Sequence, residues 1–282
     1  MPSIVKEEFV INAEKHGRPI LADLCLSDGG DLKPVVIFAH GFKGFKDWGH
    51  FNLVEERFAK VGFAFLKFNF SHNGTTLQSP ADFADLEAFG HNNLGIELYD
   101  LGAVIDWVER SEELRSRCDT GRIYLMGHSR GGGIAIIRAS EDRRVKKLLT
   151  WSAVGGFDRY LKIKPEHAWR SDGVVFVKNS RTNQDMPMYY QFLDDYLAHR
   201  ERYHVRKCAS KLAIPTLFIH GTADEAVPFS DAQALHKACK GSRLLPVEGG
   251  GHTFGATHPW EGNRLPDMAE QVVLESIDFF RS

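Results

Sequence analysis

The chain has 282 residues, 43% hydrophobic and 26% charged, an ordinary globular composition with room for one large α/β domain. Its formal net charge of −2, with Lys and Arg scattered, excludes the strongly basic surface that nucleic acid or an anionic membrane would attract. No run approaches the roughly 18 apolar residues of a membrane span, and no HExxH, HxH, CxxC or calcium-loop pattern offers a metal site, so no cofactor is expected.

Acids within the first ten residues, with no apolar segment, predict that the start is not a secretion signal. Cys25, Cys118, Cys208 and Cys239 lie far apart and read as buried thiols in a reducing, cytoplasmic setting. Alternation in "KEEFVIN" and "RPILADLCLS" then predicts an antiparallel pair joined by the polar turn around Lys15–Gly17. Beyond it come short apolar runs without alternation: "PVVIFAH" (34–40), "FAFLKFNF" (63–70), "RIYLMGH" (122–128), "KKLLTWSAV" (146–154), "PTLFIHG" (215–221) and "RLLPVEG" (243–249). Such runs fit strands buried on both faces of a parallel sheet.

Helical periodicity fills the intervals at 51–62, 96–111, "DAQALHKACKG" and the terminal "DMAEQVVLESIDFF". The alternation predicts an α/β fold over 1–282, a mostly parallel sheet flanked by helices. Residues 155–214 break the rhythm. They read as a small cap inserted between two strands, with "MPMYYQFLDDYLAHRERYH" helical inside it. The acids of "DFADLEAFGHNN" (82–93) read as organisers of a loop.

The chemistry gathers at "GHSRGG". Here G-x-S-x-G joins a predicted strand to a predicted helix, and the glycines at −2 and +2 from Ser129 let the two elements close around it. A serine hydroxyl needs a base, and His252 follows the last predicted strand in "EGGGHTFG". The imidazole needs a carboxylate to fix its tautomer. Asp224, past the strand end in "FIHGTADEAVP", is favoured for this, with Glu225 adjacent and Asp158 as further candidates. A developing oxyanion needs two donors, and the amides of Arg130 and of Phe42, in the turn "FAHGFKGFKD", are suited to it. His40 in the same turn reads as a structural histidine that pins the loop. Aromatic residues flank these turns, and Trp48, Trp169, Tyr189 and Phe254 are the expected walls of an apolar or aromatic acyl site.

With these pieces in view, "HGFKG", "FNFSHNG", "GHSRGG", "HGTADEAVP" and "GGGHTFG" resemble the α/β-hydrolase superfamily over nearly the whole chain. Within it, the resemblance is to compact esterases related to cinnamoyl/feruloyl esterases and dienelactone-hydrolase-like proteins. It implies the α/β-hydrolase fold, Ser129 as nucleophile, Asp224 and His252 as relay, Phe42 and Arg130 as oxyanion hole, and 155–214 as the cap over the pocket. True dienelactone hydrolases carry cysteine where Ser129 stands, which disfavours their substrate.

The expected function is a serine esterase acting on a small or medium carboxylic ester through an acyl-enzyme. A peptidase, amidase or acyltransferase could use the same residues, and a ligand-binding module of this fold would need none of them. The partner expected is a small-molecule ester; the oligomeric state stays open, a homo-oligomer included.

Overall fold

Strands that are apolar without alternation can be stable only when covered on both sides, and the arrangement of the chain follows from that requirement. A computed structural model describes residues 3–282. It opens on an antiparallel hairpin of β1 (Ile4–Ala13) and β2 (Arg18–Ser27), in which the amides of His16 and Gly17 close the turn onto the Ala13 carbonyl. Then follow β3 (Lys33–Ala39), α1 (Phe51–Lys60), β4 (Ala64–Phe68), α2 (Leu86–Gly90), α3 (Leu94–Arg110), α4 (Glu112–Arg115), β5 (Cys118–His128), α5 (Arg130–Glu141) and β6 (Val145–Trp151).

Between β6 and the next strand of the main sheet lies the predicted insertion. It holds a 3-10 turn over Asp158–Lys162, α6 (Glu166–Asp172), a hairpin of β7 (Val174–Asn179) and β8 (Gln184–Tyr189), α7 (Tyr190–Ala198) and α8 (Val205–Ala209). The chain ends with β9 (Thr216–Gly221), α9 (Phe229–Ala238), β10 (Arg243–Val247) and α10 (Asp267–Arg281).

The main sheet has the order β1-β2-β4-β3-β5-β6-β9-β10. Only the β1–β2 and β2–β4 pairings are antiparallel; from β4 to β10 every neighbour is parallel. Period-two geometry divides each central strand between two cores. On β3, Val35, Ile37 and Ala39 face the core covered by α3 and α5, while Val36 and Phe38 face that covered by α1 and α10. On β5, Ile123 and Leu125 divide from Tyr124 and Met126 in the same way.

The helix predicted from Met186 begins only at Tyr190. Met186 to Tyr189 instead pair with Val174–Val177, burying Met186 and Met188 against the insertion's own core. Pro187 is tolerated there because a two-stranded ribbon has free edges. The segment 82–93, expected as a loop organised by its acids, instead carries the short helix α2, and one acid and one amide cap the helices there. Asp85 caps α2, accepting from the amide of Ala88 at 2.9 Å, and Asn93 caps α3 through the amide of Ile96 at 2.8 Å. Among the described residues no helix is long and apolar enough to cross a membrane, no cluster of His, Cys, Asp or Glu could hold a metal, and all four cysteines are free and buried.

Candidate active site

Ser129 sits where β5 turns into α5, with φ 55° and ψ −120°, a conformation costly for any residue with a side chain. Its surroundings hold it there. Its amide donates to Trp151 O at 2.9 Å, while its carbonyl accepts from Gly132, Gly133 and Val154. The flanking glycines are required by contact. A Cβ at Gly127 would lie 2.5 Å from Gly131 O, and one at Gly131 would lie 2.3 Å from His40 O. Strand, elbow and helix therefore approach more closely than any side chain permits. The hydroxyl makes no capping bond to the helix behind it.

Asp224 follows β9 and is buried, whereas Glu225 beside it and Asp158 in the insertion are exposed. Three donors hold the Asp224 carboxylate, and His220, whose Nε2 donates to Val227 O at 2.9 Å, lies close by. Oδ1 accepts from the amides of Ala226 and Val227, both at 2.9 Å; Oδ2 accepts from His252 Nδ1 at 2.8 Å and faces His220 Nε2 at 3.3 Å. Burial alone would raise this carboxyl, but the N–H groups of His220, His252 and Val227 around it hold it well below the usual carboxylate range. An ionised carboxylate only accepts, so His252 Nδ1 carries the proton and Nε2 is left as the basic nitrogen.

Ser129 and His252 open onto one cavity of about 490 Å³. No hydrogen bond joins them among the described residues, a separation common before a substrate orders the site. Two neighbouring histidines are held neutral by burial. His40 is pushed down to about 4 and His128 to about 3, the latter also by His252 beside it. His40 Nδ1 donates to Gly41 O at 2.9 Å and Nε2 accepts from the amide of Phe70 at 3.3 Å, which pins the turn after β3. His128 Nε2 donates to His252 O at 3.0 Å and steadies the loop that carries His252.

The turn holding Phe42 also lines the cavity. Neither the Phe42 nor the Arg130 amide has a hydrogen-bond partner among the described residues; Arg130 follows Ser129 in the chain, and the turn of Phe42 passes close to it, a Cβ at Gly41 falling 3.0 Å from Ser129 Cβ. The loop from Gly41 to Gly49 is fastened from below by a buried ionic cluster. Lys46 Nζ lies 2.6 Å from both Asp23 and Asp47, and Lys67, an oddity inside apolar β4, bonds Asp23 at 2.9 Å and Asn52 at 2.6 Å and also meets Asp47.

Arg130 sends its side chain inward rather than to substrate. Its Nε donates to Glu97 at 3.0 Å, Nη1 to Tyr160 Oη at 3.3 Å, and its guanidinium lies 5.0, 5.4 and 5.1 Å from the rings of Phe42, Tyr160 and Phe192. Glu97 compensates the charge, so the arginine braces the start of α5 and the Phe42 ring together.

Of the expected walls, Trp48 lines the cavity, near His258. The other three do not. Trp169 is wholly buried, stacked on Phe192 with its indole donating to Met188 O at 3.1 Å, because α6 packs down onto the insertion's own core. Tyr189 closes over Gly90 and donates to Glu87 at 2.5 Å. Phe254 packs edge-on against Trp151 beneath the His252 loop. Phe51, Thr253, Thr257 and His258 take their places, with Asn179, Ser180 and Arg181 from the β7–β8 turn. The polar run "KNSRTNQD" between two apolar stretches was the signal for that turn.

Comparison with known proteins agrees with this architecture. A family model described as TAP-like protein matches residues 195–259. The human protein named serine hydrolase BPHL is 26% identical over 52% of this chain and 54% of its own length. The chain thus spans about half the length of the curated relatives it matches, 54% and 47%. Est1E from Butyrivibrio proteoclasticus, solved with ferulic acid bound, is 22% identical with a TM-score of 0.68, covering 97% of each chain. A putative dienelactone hydrolase from Klebsiella pneumoniae is 15% identical with a TM-score of 0.62, covering 99% of each. The chain has the α/β-hydrolase fold.

Proposed function

We propose that the protein is a serine esterase that cleaves a small or medium carboxylic ester through an acyl-enzyme. The observation that carries this reading is that His252, held 2.8 Å from the buried Asp224 carboxylate, lines one cavity together with Ser129 and Phe42. A binding pocket requires none of these groups; acyl transfer requires each of them.

In this mechanism the ester carbonyl lies against Ser129 with its oxygen toward the amides of Phe42 and Arg130. His252 Nε2 takes the hydroxyl proton as Oγ attacks, and Asp224 stabilises the imidazolium that forms. The tetrahedral oxyanion receives two N–H bonds already oriented by the turn after β3 and the start of α5. His252 then returns the proton to the leaving alcohol, and a water activated by the same nitrogen releases the acid. Trp48, Phe42 and Phe51 favour an apolar or aromatic acyl group, with residues 155–214 acting as the cap.

The test is labelling by a fluorophosphonate probe, in wild type and Ser129→Ala, beside a chain-length series of p-nitrophenyl esters. Labelling and turnover in wild type alone are expected, with turnover peaking at one acyl length. A folded wild type that neither labels nor turns over these esters would overturn the proposal.

A further inference from the structure

The cavity beside Ser129 is lined by two cations, Lys43 and Arg181, and by no carboxylate. That is not the average of the chain, in which 37 acids outnumber 35 bases. The two cations also come from opposite sides. Lys43 follows the oxyanion turn, and Arg181 comes from the β7–β8 turn of the insertion, while a bond of 2.8 Å from Lys43 Nζ to Lys178 O ties the two segments together.

Arg181 is the more telling of the pair. Among the described residues its guanidinium makes no ion pair and no hydrogen bond, and Nη2 is buried without a partner. Its plane is nonetheless held, 5.5 Å from the Phe45 ring and 5.6 Å from that of Phe83. Arg130, with three rings around it, likewise has an unpartnered Nη2, but its other nitrogens reach Glu97 and Tyr160, whereas Arg181 has no acceptor at any nitrogen of its guanidinium among the described residues. The acids that act with Arg181 on His258 form no ion pair with the arginine. Asp47 is taken up by Lys46 and Lys67, and Asp82 acts on His258 but makes no ion pair. A guanidinium held between rings, with one nitrogen removed from water and no acceptor gained, fits a planar anion with two oxygens.

We propose, resting on the esterase reading, that the preferred ester bears a second group that is a carboxylate, received by Arg181 and Lys43 at the mouth of the cavity. One flat fork and one ammonium match a carboxylate monoanion. Trp48 and Phe51 cover the apolar stretch between that carboxylate and the ester. Arg181 is then a specificity-determining residue.

The experiment measures kcat/KM for matched pairs, with the carboxylate on either portion of the ester. The acyl arm compares p-nitrophenyl hemiglutarate with p-nitrophenyl valerate; the alcohol arm compares 4-carboxyphenyl valerate with phenyl valerate. The anionic-to-neutral ratio is then compared between wild type and variant, so that the intrinsic reactivity of each leaving group cancels. In at least one arm Arg181→Gln should lower this ratio about tenfold, as expected for a charge-assisted bond, mostly through KM. Arg181→Lys should retain part of the preference and Lys43→Gln should weaken it. Added salt should reduce it in wild type. Turnover of neutral esters, with ratios that none of the three variants moves in either arm, overturns this inference and leaves the esterase reading standing. No labelling and no turnover of any ester overturns both.

Discussion

Replacing Asp224 by Asn tests the proposed site at one atom. Oδ1 is committed to the amides of Ala226 and Val227, so the asparagine carbonyl oxygen must stay on that side. The new NH2 then faces His252 Nδ1, 2.8 Å away in the wild type, and a donor meets a donor. The imidazole resolves this by moving its proton to Nε2, the nitrogen that has to accept from Ser129. It is then the wrong tautomer for a base, and the charge that stabilised the imidazolium is gone as well. A loss of about 10⁴-fold in kcat follows, about 5.4 kcal/mol of barrier. The assay is turnover of the best p-nitrophenyl ester by Asp224→Asn and Glu225→Gln, with thermal melts to establish that each variant is folded. Glu225 is exposed, and its variant should keep most of the activity. The reasoning fails if Asp224→Asn stays within about tenfold of wild type while Glu225→Gln loses several orders of magnitude.

Two further predictions concern buried charge away from the reacting atoms. Glu97→Ala strands Arg130, which is only 2% exposed, and should cost about 3–5 kcal/mol in urea unfolding at an unchanged m value. Glu97→Leu combined with Arg130→Met should recover most of that loss, and a single-variant cost below about 1 kcal/mol would mean the pair is not needed. Asp100 is fully buried on α3, with Oδ2 accepting from the Ser71 amide at 2.8 Å and Oδ1 unpartnered; burial pushes its carboxyl up to about 7. The folded state therefore favours the proton. Its stabilising effect is complete below the unfolded value of about 4, and is lost as pH rises through about 7. Asp100→Asn should thus gain stability relative to wild type between about pH 4 and pH 7, by roughly 2–4 kcal/mol, then level off. A difference independent of pH in urea titrations would refute the assignment.

Much of this protein was readable along the chain because the determining signals are local. Unbroken apolar runs declare strands buried on both faces, and the strand–helix alternation leads to the parallel sheet. The glycines around Ser129 mark a place where backbones touch, and the contact distances at Gly127 and Gly131 show why no side chain fits. The choice of Asp224 over Glu225 was a matter of one residue's position past a strand, and burial of the first with exposure of the second agrees with it.

What only the tertiary structure decided depends on which distant segments meet. Trp169, Tyr189 and Phe254 look like pocket walls in a list of aromatics, yet Trp169 and Phe254 fill cores against Phe192 and Trp151, and Tyr189 lies over Gly90 with its hydroxyl on Glu87. Arg130 could not be matched with Glu97, 33 residues away on another helix, nor Lys67 with Asp23 and Asp47, because charge pairing has no periodicity to reveal it. The cavity's cations come from a turn after β3 and a hairpin 135 residues later, as the Lys43–Lys178 bond measures. Local sequence sets the conformation of the nucleophile's turn; the charge and shape of the space in front of it arise only when the insertion folds back over the sheet.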